Sequence, residues 1–195
     1  MLAQTLDWFT RRSGVRRKAG DIYGAVVAAA RQPGFYGAQR VADTPEGRFE
    51  LVALHLFLVA ERAKALGPGG RVSGPALAQA LIEAFVVDMD DCMREMGVGD
   101  LTVPKRVKRA AAVFYERAGQ YRAALATPLA PGQDDPLAAL IADAILPTAP
   151  ARAFAGVLAA YVRASQQTLG EQSSSTFAAG QLHFASPPLP DERPV

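Results

Sequence analysis

The sequence predicts an all-α protein, a single compact helical domain of about six to seven helices with a disordered C-terminal tail. Half of the 195 residues are hydrophobic, which is enough to bury a core. Alanine is abundant, and the strict alternation of apolar and polar residues that is typical of strands is nearly absent. We expect a basic amphipathic N-terminal segment over residues 1–18, a helical domain over 19–170 and a flexible tail over 171–195.

The N-terminal segment combines apolar residues at helical spacing in 2–12 with arginines that follow them. Such a helix either lies on an anionic surface, formed by lipid headgroups or ribosomal RNA, or docks its apolar side on the domain. Gly14 interrupts the pattern, which predicts a separate helix over 21–31. Pro33 and Gly34 end that helix, and Phe35 anchors the loop that follows.

The next helix starts with Asp43 or Thr44 as its cap and Pro45 in its first turn. Because residues 49–65 are apolar nearly all round, we expect this helix to be central and the most buried.

Four polar residues interrupt that helix, namely Arg48, Glu50, His55 and Arg62. These residues form either a polar row that contacts a partner or an internal network of salt bridges. No second histidine or thiolate lies at ligand spacing from His55, so its pattern favours a satisfied histidine near the core over a metal ligand or catalyst.

The helix predicted over 73–97 is the most distinctive stretch. Ser73 caps it, Pro75 lies in its first turn, and Gly97 closes it after a flexible Gly67–Gly70 turn. One side carries an apolar stripe: Leu81, Ile82, Phe85, Val86, Met89, Met93 and Met96. The other side is mainly acidic, with Glu83, Asp90, Asp91 and Glu95 beside Arg94.

The next predicted helix begins with a cluster of basic residues. Pro104 opens a helix that continues to Pro128, and Lys105, Arg106, Lys108 and Arg109 crowd its positive end. These side chains either neutralise the acidic side of the preceding helix or face an anionic partner.

Two further helices are expected, one from Asp135 and Pro136 to near Leu146, and a last one from Thr148 to Gly170. The Ser- and Pro-rich residues beyond predict a mobile tail.

Composition excludes several function classes. A net charge of +2 gives no field for DNA, and one cysteine with two histidines forms no metal cluster of recognisable spacing. No nucleophile elbow or phosphate-binding loop occurs, so we expect no cofactor and no enzymatic activity. The absence of a membrane span or secretion signal predicts a cytoplasmic protein, with the inner face of the cytoplasmic membrane as a peripheral location.

Several strings together resemble the ubiquinol-cytochrome c chaperone family. They are residues 30–36, residues 41–51 with His55, residues 88–91 and 94–101, residues 105–108, and Phe114-Tyr115. The resemblance covers about residues 20–125 in the family's order. Its members are the bacterial relatives of the mitochondrial assembly factor for cytochrome b.

The resemblance implies an all-helical, non-enzymatic assembly factor that holds newly made cytochrome b. A small partner subunit, the ribosome or an anionic membrane surface would be further partners. The residues that match the family's motifs or supply the basic surface are the predicted partner-binding residues: Asp43, Arg48, Phe49, His55, Asp88, Asp90, Arg94, Glu95, Asp100, Lys105, Arg106 and Lys108.

The resulting hypothesis is a chaperone with a methionine-bearing, partly exposed groove that accepts an apolar helix of its client. Two alternatives remain open, a peripheral membrane adaptor without a client and a helical enzyme with an unrecognised site.

Overall fold

The computed structural model describes residues 2–66, 73–130 and 132–189. Within these residues it contains α-helices joined by short loops and no extended strand, which confirms the predicted all-α class. The helices are α1 (Leu2–Ala30), α2 (Pro45–Lys64), α3 (Gly74–Glu95), α4 (Val103–Ala126), α5 (Pro136–Ala144), α6 (Ala149–Arg152), α7 (Ala155–Glu171) and α8 (Ser174–Ala178). A 3-10 turn at Pro33–Phe35 follows α1.

The predicted helix starts are confirmed by their hydrogen bonds. Thr44 accepts from the Gly47 amide at 3.2 Å, and Ser73 accepts from the Ala76 amide at 3.3 Å. Asp135 accepts from the Leu137 amide at 2.8 Å. Each oxygen satisfies an amide that has no partner within its own helix.

Gly97 closes α3 in the predicted way. Its φ is +77°, in the left-handed region. The Val98 amide donates to the Met93 carbonyl at 3.0 Å and the Gly97 amide donates to the Arg94 carbonyl at 2.9 Å. This is the Schellman pattern, in which the last free carbonyls of a helix gain partners.

The predicted break at Gly14 is wrong, because α1 is continuous over 29 residues from Leu2 to Ala30. A glycine within a helix costs about 1 kcal/mol relative to alanine. Packing of α1 against both α2 and α3 outweighs that cost. A glycine interrupts an apolar pattern without interrupting the backbone hydrogen bonds.

The core lies around α2, as predicted. This helix is buried without interruption from Leu51 to Ala60 and packs against α1, α3, α4 and α7. The long helices α1 and α3 also pack against each other, and α5 packs between α4 and α7. The apolar residues that the sequence places on α2 are therefore core residues.

The last predicted helix is divided in two. A single turn, α6, precedes α7, and the Ala153–Phe154 corner lies between them. Helix α7 runs one residue beyond Gly170, to Glu171.

The segment after α7 makes more contacts than its composition predicts. Phe177 is fully buried, and Leu182, Phe184 and Ala185 pack against the core. Arg62 on α2 donates to the carbonyls of Leu169 at 2.8 Å and Gln172 at 2.7 Å. We call residues 173–188 the C-terminal strap.

The far end of the strap crosses Gly34. A Cβ at position 34 would overlap the carbonyl oxygen of Pro188, so the close approach requires glycine there. Arg40 also donates to the Gly34 carbonyl. The predicted Gly67–Gly70 turn and the last six residues of the predicted tail lie outside the described residues. No helix in the described part of the chain is both long and apolar enough to cross a membrane.

Candidate functional site

A groove with a volume of about 800 Å³ lies over the outward side of α3. Its α3 lining includes Ala80, Glu83, Ala84 and Val87. These positions are separated by three and four residues, so they share one side of the helix. The groove therefore follows the helix axis.

Two other helices supply its walls. Arg16 and Tyr23 of α1 line one part, and Tyr115 of α4 lines another. Val87 is 60% exposed and Tyr115 is 54% exposed, so both leave apolar surface open to solvent along the groove. The two alanines keep the floor shallow between them.

Carboxylates border this apolar surface. Glu83, Asp88 and Asp91 all line the groove. The Tyr23 hydroxyl donates to the Asp88 carboxylate at 2.7 Å, and this bond joins α1 to α3. Burial and the neighbouring carboxylate raise the pKa of Tyr23, so the phenol stays a donor.

The groove does not lie on the methionine stripe that the sequence predicts. Ile82 and Val86 of the predicted apolar stripe line its edge, but Met89, Met93 and Met96 do not. Met89 packs against the core, whereas the groove lies over the part of the predicted acidic side that carries Glu83 and Asp91. The reason is that most of the apolar stripe packs against α1, α2 and α4, although Met96 at its end is 57% exposed.

The first set of predicted partner-binding residues lies at the start of α2. Arg48 donates to Asp43 at 2.7 Å, and both side chains are exposed. This hydrogen bond lowers the pKa of Asp43. Phe49 is partly buried with its ring 5.7 Å from that of Phe85. The set does not line the groove.

The second set gathers at the C-terminal end of α3. Arg94 donates to Asp90 at 2.6 Å and also pairs with Asp100, so one guanidinium joins the helix to the following turn. Glu95 is exposed beside them. Of the predicted site residues, Asp88 is the one that lines the groove.

His55 lies in the core with no exposed surface. Its Nδ1 donates to the Leu51 carbonyl at 2.8 Å, so its Nε2 accepts from the Tyr161 hydroxyl at 2.8 Å. Burial lowers the pKa of His55 to about 4. The interpretation as a satisfied core histidine is confirmed, and in this conformation His55 offers nothing for a partner to touch.

Hydrogen bonds continue from His55 to the strap. Ser165 bonds to the Tyr161 hydroxyl, and the Ala185 amide donates to Ser165 Oγ at 3.2 Å. The Phe184 ring lies 5.2 Å from the His55 imidazole. His55 therefore connects α2, α7 and the strap.

The other polar residues of α2 also have internal contacts. Glu50 lies 3.8 Å from Arg117 of α4, and burial raises the pKa of Glu50. Arg62 bonds the end of α7, as described above. Of the two predicted alternatives for this polar series, the structure favours internal contacts.

The basic residues at the start of α4 are exposed. Lys105, Arg106 and Lys108 make no ion pair with a carboxylate within the described ranges. The predicted neutralisation by the acidic side of α3 is therefore not seen, since Arg94 occupies Asp90 and Asp100 instead.

Sequence reasoning missed the groove residues Ala80, Ala84 and Val87. The sequence signal that could have found them is a helix side on which small and apolar residues are interspersed with carboxylates, as at Ala84, Val87 and Asp91. Across the described residues no three histidine, cysteine or acidic side chains meet in a way that could hold a metal. The lone Cys92 is partly buried, and burial raises the pKa of its thiol.

Comparisons with known proteins agree with the fold and with the sequence strings. The crystal structure of the Cbp3 homolog from Brucella abortus is similar with a TM-score of 0.74 and 37% sequence identity, over 95% of this chain and 97% of that chain. No curated protein shows significant sequence similarity. The model of the ubiquinol-cytochrome c chaperone family matches residues 38–184. The chain belongs to the ubiquinol-cytochrome c chaperone family.

Proposed function

We propose that this protein holds newly made cytochrome b and promotes assembly of the ubiquinol-cytochrome c reductase. The observation that carries the proposal is the open groove on α3, with an apolar floor and an acidic rim. Family membership supports the wider role of a chaperone for this complex. The groove supplies a place where a client segment would bind.

The shape of the groove suits an α-helix. Ala84 lets another backbone approach α3 closely, because small side chains keep helix axes near each other, and the buried Ala80 adds no bulk beside it. Val87 and Tyr115 offer apolar contact on the exposed side. An apolar helix laid along α3 would cover both side chains.

Charge narrows the choice of client segment. Glu83, Asp88 and Asp91 border the groove, and Arg16 is the basic side chain in its lining. Transmembrane helices commonly carry lysine or arginine next to their apolar stretch on the cytoplasmic side. We therefore assign to this groove an apolar helix of cytochrome b with basic residues at one end.

Capture of cytochrome b tests the proposal. Val87→Asp places a charge where the client helix would lie, and we expect most of the cytochrome b recovered with the tagged protein to be lost. Val157→Asp on α7 is the matched control, since Val157 is also an exposed helical valine, at 49%. Both variants should fold, because neither side chain is buried.

Equal recovery with Val87→Asp and Val157→Asp would contradict the groove as the client site. Arg48→Ala and Asp90→Ala test whether the contact surface extends to the predicted residues outside the groove. Metal analysis of the purified protein addresses the enzyme alternative, because stoichiometric iron or zinc would favour it over a chaperone.

A further inference from the structure

The turn between α3 and α4 presents an apolar side chain to solvent beside a group of cations. Leu101 is 99% exposed in this turn. Lys105, Arg106, Lys108 and Arg109 follow in the first two turns of α4, and all four are exposed. The feature that distinguishes this turn is the combination of an apolar side chain in water with adjacent cations.

Leu101 and the cations lie on one continuous helical surface. The Val103 amide donates to the Gly99 carbonyl at 3.2 Å, so the turn already follows a helical path before α4 begins. Leu101, Lys105 and Lys108 are then separated by four and three residues, which places them in one stripe. Arg109 lies about 40° and Arg106 about 100° from Lys105 around the helix axis, both in the same direction.

The opposite side of α4 faces the core. Val103, Val107 and Phe114 are buried there. At about 100° per residue, these three positions lie roughly half a turn away from Lys105. The stripe of leucine and cations therefore faces away from the domain.

The four cations have no internal neutralisation. None of them makes an ion pair within the part of the chain that the structure describes. Asp100, next to Leu101, is already paired with Arg94. Glu116 carries the next charge on this side of α4, about two turns beyond Arg109.

We propose that this surface, Leu101 with Lys105, Arg106, Lys108 and Arg109, binds an anionic lipid bilayer. Lipid phosphates and carboxylates would pair with the cations, while Leu101 enters the boundary of the acyl chains. Ribosomal RNA would also attract the cations, but it offers nothing to an exposed leucine. The combination therefore favours lipid.

This surface is continuous with the groove through Tyr115. Tyr115 lies seven residues after Lys108, on the same side of α4, and it lines the groove. Aromatic side chains with a polar tip are favoured at the boundary between lipid and water. Binding by this surface would hold the groove beside the bilayer, where apolar helices enter or leave.

Vesicle binding tests the inference with the full-length protein. Flotation with vesicles of phosphatidylcholine and phosphatidylserine should recover the protein, and vesicles of phosphatidylcholine alone should not. Each basic residue near an anionic surface contributes about a fivefold factor in binding, so Lys105→Gln with Lys108→Gln should weaken it about 25-fold. Leu101→Ser should weaken it about tenfold.

Matched variants carry equal changes elsewhere. Arg17→Gln with Lys18→Gln removes two charges from α1, and Val157→Ser removes an exposed apolar side chain from α7. Both should bind vesicles as the unmodified protein does. Loss of binding in the α1 variant with retention in the α4 variant would overturn the inference.

Two further results would also overturn it. One is an absence of flotation with anionic vesicles. The other is binding to ribosomal RNA that depends on Lys105 and Lys108 but not on Leu101. The capture of cytochrome b in detergent solution does not require a bilayer, so failure of the lipid inference and failure of the client proposal are distinguishable.

Discussion

Protonation of His55 should destabilise the fold between about pH 6.5 and pH 4. The ordinary histidine pKa of 6.5 describes the unfolded chain, and burial lowers the pKa of His55 to about 4 in the fold. Above pH 6.5 the imidazole is neutral in both states and contributes no pH dependence. Below pH 6.5 the unfolded chain binds a proton that the folded chain does not, so stability falls as the pH falls.

The size of this loss of stability follows from the pKa values of the histidine in the unfolded and folded chain. At pH 5.0 the solution is one and a half units below the unfolded pKa, and the folded histidine is still mostly neutral. Each unit is worth about 1.4 kcal/mol. His55 should therefore reduce the free energy of unfolding by about 2 kcal/mol between pH 7.5 and pH 5.0.

Urea denaturation at the two pH values measures this change. His55→Gln is the comparison, because glutamine does not titrate but keeps an amide for hydrogen bonding. The variant will be less stable at pH 7.5, since glutamine lacks the ring that packs against Phe35 and Phe184 in the core. Its loss of stability on going to pH 5.0 should be about 2 kcal/mol smaller than that of the unmodified protein.

Carboxylates that titrate in this range contribute equally to both proteins and cancel in the difference. An equal pH dependence of the two proteins would refute the reasoning. So would a proton NMR titration in which the imidazole of His55 in the folded protein shows a midpoint near 6.5.

Three further substitutions test other parts of the fold. Gly34→Ala should displace the strap, because the new methyl group overlaps the Pro188 carbonyl, and faster amide exchange after residue 180 would show it, whereas unchanged exchange would contradict the close approach. Gly97→Ala should cost about 1–2 kcal/mol in thermal unfolding, since its φ of +77° strains an alanine, and an unchanged melting temperature would contradict that strain. Hydrogen bonds from Arg122 chiefly lower the pKa of Glu61 to about 2, so the pair's contribution is present above pH 4.5 and lost as the pH falls towards 2. Acid titration should then show about 1 kcal/mol less loss for Glu61→Gln, and identical acid curves would contradict it.

The starts of α2, α3 and α5 and the end of α3 were predictable from local chemistry. Thr44, Ser73 and Asp135 cap their helices with side-chain oxygens, and Gly97 supplies the left-handed closure of α3. Such signals act over three or four residues, so a single sequence contains them in full. The burial of α2 was equally predictable, because a helix that is apolar on all sides has no polar side to expose to water.

The position of the groove was not predictable from the pattern. The apolar stripe of α3, with Leu81 and Phe85, shows which side of the helix is buried in the domain. Neighbouring helices cover that side. An unoccupied surface depends on where the other helices end, which is a tertiary property. The Gly14 error has a similar origin, since packing along all of α1 overrides a local preference.

The strap shows the limit of composition as a guide. Serines and prolines dominate the end of the chain and predict a mobile tail, yet Phe177 and Phe184 are enough to attach it to α2 and α7. Two aromatic side chains bury a large apolar area at a low cost in side-chain entropy. Their spacing has no regular period, so a search for periodicity passes over them.

In the proposed client site, the alanines of the groove floor would limit which client segments the protein distinguishes. A surface without deep pockets would not distinguish the length or branching of a client's side chains, so different helices with a smooth apolar side would fit against Ala84 about equally well. Discrimination must then come from the electrostatic pattern around them, which ionic strength weakens. A higher salt concentration would therefore reduce the selectivity of such a chaperone for charged client segments before it reduced its affinity for apolar ones.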